Sequence, residues 1–198
     1  PWGILAIADA LSVSTSMKKL IIFKNNLGDE GIGIITSAVE GKEISLCGAE
    51  PGQTDLDLSK QGLGPEDAKI IAWELTTGFV SSSMKKIKVN ECELPIDVLK
   101  TGAEVDLSGQ NLRVEDAIII AACINVSSSM TKLAIWDNKI GVEGATAIVN
   151  AAPTQMRTLC GDMFEEGQTE ADLSYKSASK GDKVLVDGEA AVISYVNS

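Results

Sequence analysis

One pattern recurs along most of this 198-residue chain and limits what it can fold into. Over eleven residues, places four, six and eleven are apolar and place nine is Asn, Gln or Cys. Five copies of the pattern begin at Met17, Gln53, Met84, Gly102 and Met130, and a sixth copy that lacks the Asn begins at Gln168. The alternation at places four and six is typical of a short strand with one buried face. The sequence therefore predicts a repeated strand-containing unit.

Three of the strand patterns are followed by a stretch with helical periodicity, and one such stretch precedes the first pattern. Apolar residues recur there at i, i+3, i+4 and i+7, as in Ala68, Ile71, Ala72 and Leu75. This spacing is typical of the apolar stripe of an amphipathic helix. Similar stripes begin at Ile4, Ala117 and Ala145. Acidic residues cluster at or just before the predicted first turns, where they favour the helix dipole.

The eleven-residue pattern resembles the leucine-rich repeat, L-x-x-L-x-L-x-x-[N/C]-x-L. Residues 25–31 and 138–144 resemble its ribonuclease-inhibitor subtype, in which a full helix follows the turn. The spacing between copies is irregular, and this variant is similar to those of expanded leucine-rich families in single-celled eukaryotes. The resemblance implies an α/β solenoid with a parallel concave β-sheet and convex helices over residues 1–178.

Two longer units carry what we interpret as an insert. Residues 44–54 and 158–169 match each other, 113 to 115 residues apart, which predicts a larger duplication.

The last residues, 179–198, follow a different pattern. Two β-type runs flank Asp187 and Gly188, a strong signal for a hairpin turn. We predict a β-hairpin tail that caps the last repeat, as a solenoid requires. The alternative is the start of a small SH3-like barrel.

Composition argues against an enzyme. The chain has no histidine, which removes Ser-His and Cys-His nucleophile pairs and every His-ligated zinc site. It also lacks the G-x-x-x-x-G-K-[ST] loop that binds nucleotide phosphates. We therefore expect no catalytic site, no cofactor and no metal.

Charge, hydropathy and cysteines limit the partners and the compartment. A formal net charge of −11 argues against binding nucleic acid. No apolar run approaches the roughly 20 residues of a membrane span, so we expect no direct membrane insertion. Cys47, Cys92, Cys123 and Cys160 form no C-x-x-C pair. We interpret them as free thiols, which predicts an intracellular, reducing compartment and leaves the organelle open.

In the leucine-rich template, several places of each strand face outward. Place five holds, in order, Ile21, Asp57, Lys88, Asp106, Ala134 and Asp172. This charge alternation predicts that Lys88 lies between Asp57 and Asp106 on the sheet. Phe23 and Trp136 occupy place seven and Tyr175 occupies place eight. The template exposes all three, which makes them candidate anchors for a protein partner.

The function that the resemblance implies is a non-catalytic protein-interaction module. It would bind a protein partner, or join a larger protein complex, through Phe23, Trp136, Tyr175 and the charged positions around them. The alternative is a structural accessory subunit, packed by its convex or lateral face within a large multiprotein assembly.

Overall fold

The computed structural model describes residues 2–156, 158–159, 183–186 and 189–192, and it is an α/β repeat in which helices alternate with very short strands. The helices are α1 (Trp2–Val13), α2 (Gly28–Val39), α3 (Pro65–Thr76), α4 (Ile96–Thr101), α5 (Val114–Asn125) and α6 (Gly141–Ala151). The strands are β1 (Asp55–Asp57), β2 (Lys86–Lys88), β3 (Glu93–Pro95), β4 (Glu104–Asp106), β5 (Lys132–Ala134), β6 (Thr158–Leu159), β7 (Lys183–Val186) and β8 (Glu189–Val192).

The described strands form two sheets, with the orders β1-β2-β3 and β4-β5-β6-β7-β8. Pairs β1–β2, β4–β5 and β5–β6 are parallel, whereas β2–β3, β6–β7 and β7–β8 are antiparallel. The prediction of one parallel sheet is therefore wrong for this part of the chain. The antiparallel pairing of β2 with β3 arises in the short unit that begins at Met84. Only residues 89–92 separate β2 from β3, too few for the crossover that a parallel pair needs.

Parallel pairs join equal places of successive units. Leu56 of β1 lies opposite Ile87 of β2, and Val105 of β4 lies opposite Leu133 of β5. All four residues occupy place four. The repeat period read from the sequence therefore predicts the register of these pairs correctly.

The stretch interpreted as an insert contains another strand position. Ser45 pairs in parallel with Lys19, and Thr158 of β6 pairs in parallel with Lys132. Each partner lies 26 residues after the first residue of its pair. The insert interpretation is therefore wrong at the beginning of both stretches, because Ser45 and Thr158 already occupy the strand position of a following unit. The remainder of the second copy, 160–169, lies outside the described residues.

The described core consists of two buried clusters. The larger one holds Leu58, Val105, Leu107, Leu133 and Ile135 together with the stripes of α3, α5 and α6. Leu56 is half-buried against it. The apolar places four and six predict one continuous core with the helix stripes. This prediction is confirmed for these five residues and is wrong for the α1 stripe, which lies in a separate cluster. Each fully buried Leu, Ile or Val contributes about 1.5–3 kcal/mol.

The smaller cluster lies around α1 and α2. It contains Leu11, Ile35, Leu46 and Ile70, all almost fully buried. The stripe predicted on α1 is wrong at Ile7, which is exposed.

Lysines from later units cap the C-terminal ends of earlier helices. The ammonium of Lys42 donates to the carbonyls of Leu11 (3.0 Å) and Ser12 (2.6 Å) at the end of α1. The ammonium of Lys100 donates to the carbonyl of Leu75 in the last turn of α3. A helix leaves its last carbonyls without internal partners. Each lysine therefore supplies a bond that its target helix cannot make by itself.

Strands β7 and β8 are antiparallel and adjoin β6, where Val186 lies opposite Thr158. Strand β7 also lies against α6. The division into residues 1–178 and a tail 179–198, and the role of that tail, stay predictions.

Candidate interaction surface

The face of β1 and β2 that points away from the core carries charged side chains. Asp57 is exposed and lies opposite the half-buried Lys88, so the predicted pairing of these two residues is confirmed. On its other side Lys88 lies opposite Glu93 of β3. Asp106 belongs to the second sheet, so the prediction that it flanks Lys88 is wrong. The reversal of the chain at β3 places an antiparallel strand where the template expects β4.

Several of these charges are held by local contacts. Lys86 and Glu93 form an ion pair of 2.8 Å across β2 and β3, with both side chains about half exposed. Such surface pairs contribute about 0–1 kcal/mol. Hydrogen bonds from the hydroxyl and the backbone N–H of Ser59 lower the pKa of Asp57. The backbone N–H of Ser108, at 2.9 Å, lowers the pKa of Asp106.

The apolar side chains that the repeat template directs outward are covered to different degrees. Ile21 is 55% exposed, whereas Phe23 and Trp136 are half-buried against the core clusters. The indole N–H of Trp136 is buried and has no hydrogen-bond partner among the described residues. The template prediction of full exposure is therefore wrong for both aromatic residues. Tyr175 lies outside the described residues.

Ile21 lies over a bare stretch of backbone. A Cβ added to Gly48 would be only 3.0 Å from the Cδ1 of Ile21. The missing side chain at Gly48 makes room for the isoleucine, which then presents its outer side to solvent.

The Asn at place nine connects units in one copy of the turn and not in another. The amide of Asn138 donates to the carbonyl of Leu107 (2.9 Å) and accepts from the N–H of Leu112 (2.9 Å), both in the preceding unit. An Asn at place nine is predicted to bond to backbone groups of neighbouring units, and this prediction is confirmed at Asn138. The amide of Asn25 instead donates within its own turn, to the carbonyl of Ile22 (2.8 Å).

Two segments of the chain, 13–33 and 126–149, match a family model described as Leucine Rich repeat. These two segments are similar to leucine-rich repeats. Each matched segment contains a turn with Asn at place nine and the start of a helix whose first residue is glycine. A search of curated proteins finds no match to this chain.

Leucine-rich repeats generally mediate protein–protein interaction and are typically non-catalytic. Within the described ranges, no three His, Cys, Asp or Glu residues come together in a group that could hold a metal ion. Of the described helices, none is long and apolar enough to cross a membrane.

A buried carboxylate on α3 was not predicted from the sequence. Glu74 on α3 is fully buried, and it accepts a hydrogen bond from the N–H of Leu46 (2.8 Å) through Oε2. Its Oε1 has no partner within the described part of the chain, and burial raises its pKa. Burial, with a smaller effect of Glu74, raises the pKa of the Cys47 thiol to about 11. The sequence signal that could have indicated the burial of Glu74 is its position, because it directly precedes the stripe residue Leu75.

Proposed function

We propose that the chain is a non-catalytic protein-interaction module that binds a protein partner through the outward face of its leucine-rich-repeat strands. The observation that carries this proposal is the exposed Ile21, which lies over Gly48 and two residues before the half-buried Phe23. Large apolar side chains left in solvent are typical of partner anchors. Trp136 is a second anchor, contacting the partner through the part of its ring that stays accessible.

The proposal includes the overall geometry. The repeats form a solenoid of the ribonuclease-inhibitor-like subtype, with strands on the concave side and helices on the convex side. Support comes from the parallel pairing of equal places and from the full helix that follows each of the turns at Asn25 and Asn138. The charged residues Asp57, Lys88 and Asp106 then lie on the binding face and tune its specificity rather than its affinity.

A second candidate function is an accessory subunit of a larger protein assembly. The observation that favours it is the apolar surface of α1. Leu5 and Ile7 are exposed there, and Val13 is 77% exposed. In this case the lateral face of α1, and not the strand face, contacts the neighbouring subunit.

We also propose a reducing intracellular compartment and no nucleic-acid partner. Cys47, Cys92 and Cys123 are buried free thiols, which supports the first part. The net charge of −11 supports the second.

The test begins with affinity capture of a partner followed by cross-linking, which reports the occupied face. Binding is then measured for Ile21→Ser, Phe23→Ala and Trp136→Ala, with Lys88→Ala as a control on the same face. A true anchor should lose about 2 kcal/mol or more of binding free energy, and the lysine control much less. If all three anchor variants bind normally and Val13→Ser does not, the accessory-subunit function replaces the first proposal.

A further inference from the structure

Strands β3 and β4 are the end strands of the two sheets, and they are not paired with each other. They are consecutive strands of the chain, joined through α4 (Ile96–Thr101). Within the described residues, no backbone hydrogen bond connects Glu93–Pro95 to Glu104–Asp106. The sheet surface is therefore interrupted at this point, with one open strand edge on each side of the interruption.

The open edge of β4 offers a full set of backbone groups. The carbonyl of Ala103 and the N–H of Leu107 both bond to β5, at 3.1 and 2.8 Å. Alternate residues of a parallel strand bond to the same neighbour. The N–H and carbonyl groups of Glu104 and Asp106 therefore point away from β5. On that side, these two donors and two acceptors can bond to another strand.

The edge of β3 is poorer in donors. Its residue Pro95 has no N–H, and proline within a sheet is confined to positions where no ladder bond is needed. This explains why β3 does not continue the sheet towards β4. It also makes β4 the better of the two edges for an added strand.

The side chains at this edge are acidic. Glu104 and Asp106 are exposed on β4, and Glu93 is exposed on β3. Glu104 lies opposite Lys132 of β5, whereas Asp106 lies opposite Ala134 and so has no lysine directly across from it. Between Glu104 and Asp106, Val105 points into the core. A strand that fits this edge thus has basic residues on its outer face and an apolar residue between them, because opposite charges are favourable across a strand pair.

We propose that the open edge of β4 binds an extended basic segment of a partner protein, which adds to the sheet as a strand in basic–apolar–basic alternation. This inference rests on the proposed interaction function and names the chemistry of one partner segment. A second copy of this edge is disfavoured as the occupant, because its acids would meet the same acids in a chain of net charge −11. Backbone bonds supply affinity in such strand addition, and the alternating side chains supply specificity.

The competing explanation is that the acids only protect an exposed edge from unwanted pairing, as charged residues on edge strands commonly do. The two explanations differ in one respect. Strand addition needs the backbone N–H groups of the incoming peptide, whereas attraction to a protective acidic edge needs only the positive charge of the peptide.

The probe is a fluorescent peptide KVKVKVK, titrated with the full chain. It is compared with the same peptide carrying backbone N-methyl groups on alternate residues, and with EVEVEVE. Strand addition predicts that N-methylation weakens binding at least about tenfold at unchanged charge, and that the acidic peptide does not bind. Equal binding of the methylated and parent peptides would overturn the proposal, and so would failure of the parent peptide to bind. Both comparisons use the unmodified protein and do not depend on the folding of a variant.

The site is located with charge-matched double variants. Glu104→Lys combined with Asp106→Lys should weaken KVKVKVK binding at least about tenfold. Glu40→Lys combined with Glu143→Lys changes the net charge equally at two exposed acids elsewhere and should change it less than about threefold. Equal losses in both double variants would show attraction to the whole acidic chain and overturn the assignment to β4. The peptide could fail to bind while a captured partner still depends on Ile21 or Phe23. That result would overturn this inference and leave the proposed function unaffected.

Discussion

Helices α2 and α6 begin differently from helices α3 and α5. The first two begin with Gly28 and Gly141, each at φ +62°, a conformation that glycine adopts without strain. Each carries a second glycine in its first turn, Gly31 or Gly144. A Cβ on Gly144 would lie 2.7 Å from the Cβ of Ala117 on α5. At Gly144, in one of these two glycine units, the bare backbone lets the start of α6 approach α5 closely.

Helices α3 and α5 use an aspartate in the first turn instead. Asp67 and Asp116 each accept a hydrogen bond from the N–H of their own N-cap residue, at 3.0 and 2.8 Å. Asp67 also accepts from the backbone N–H of Lys24 (2.8 Å), and Asp116 from the side-chain amide of Asn90 (3.0 Å). In these aspartate units, one carboxylate caps the helix and ties it to the preceding unit.

The comparison shows that one architectural problem has an apolar and a polar solution in the same chain. The carboxylate in an aspartate unit is fully satisfied only when both of its oxygens are hydrogen-bonded. Both carboxylate oxygens of Asp67 are bonded, whereas Oδ1 of the fully buried Asp116 has no partner in the described ranges. Burial accordingly raises the pKa of Asp116. The two segments that match the family model both reach into glycine units.

Both kinds of unit share a leucine core, so a core truncation should cost more than a change at either kind of helix start. Leu107→Ala should lower the free energy of unfolding by roughly 2–5 kcal/mol, because it leaves a cavity among buried side chains. Urea unfolding measures the loss. Val142→Ala, at an exposed site on α6, is the control and should unfold almost like the parent. A Leu107→Ala midpoint equal to that of the parent would show that Leu107 is not central to the core.

The close approach in a glycine unit is tested by adding one methyl group. Gly144→Ala should destabilise the protein by about 1–3 kcal/mol, because the new Cβ overlaps Ala117 on the adjacent helix. Gly33→Ala is the matched control, since nothing lies within 4 Å of its Cβ position in α2. It should stabilise by about 0.5–1 kcal/mol, the ordinary preference of a helix for alanine. If both variants melt higher than the parent, the glycine at Gly144 is not there for close packing.

The carboxylate clamp of an aspartate unit is tested at Asp67. Asp67→Ala should cost about 1–2 kcal/mol, because it removes the helix cap and the bond to the N–H of Lys24. Thermal unfolding with a reversible baseline measures it. Asp67→Asn retains an acceptor oxygen and should lose less. Equal losses for the two variants would mean that the charge, and not the hydrogen bonding, carries the effect.

The smallest expected difference distinguishes the two aspartate units by pH. The folded pKa of Asp116 is raised above its ordinary value of 3.8, so the folded state favours the protonated acid. Relative to the unfolded chain, the stability associated with this group is complete below that value and declines as pH rises through the folded pKa. Asp116→Asn removes the buried charge. The variant should therefore gain stability relative to the parent as pH rises through the folded pKa, and it should gain none below pH 3.8. Unfolding in urea across a pH series measures the difference. A constant difference at every pH would contradict a titration of Asp116.

The sequence predicted the register and burial of the strands well, because apolar periodicity records which side of a strand meets the core. It missed the strand position at Ser45, because place six of that unit is Gly48, which breaks the apolar pattern. The structure gives the reason, since Ile21 of the preceding unit occupies the space above that glycine. A pattern confined to one unit cannot show that a neighbour supplies the missing side chain.

The candidate surface was less predictable than the core. A repeat template states the expected direction of a side chain, which for Phe23 and Trp136 is outward. It does not state how far neighbouring turns cover that side chain, and both residues are half-buried. The open edge of β4 also escaped prediction. It follows from the chain reversal at Pro95, in a unit too short to be regular.

The lysine caps affect how this chain can be divided into working pieces. A fragment that ends with α2 keeps all of α1 but loses Lys42, which donates to the Ser12 carbonyl and shares the Leu11 carbonyl with the N–H of Ser14. The same holds for α3 when the chain is cut before Lys100. Self-sufficient segments therefore end inside the following repeat rather than at the repeat boundary. Shuffling or transplanting repeats from this protein should carry each helix together with the lysine that comes after it.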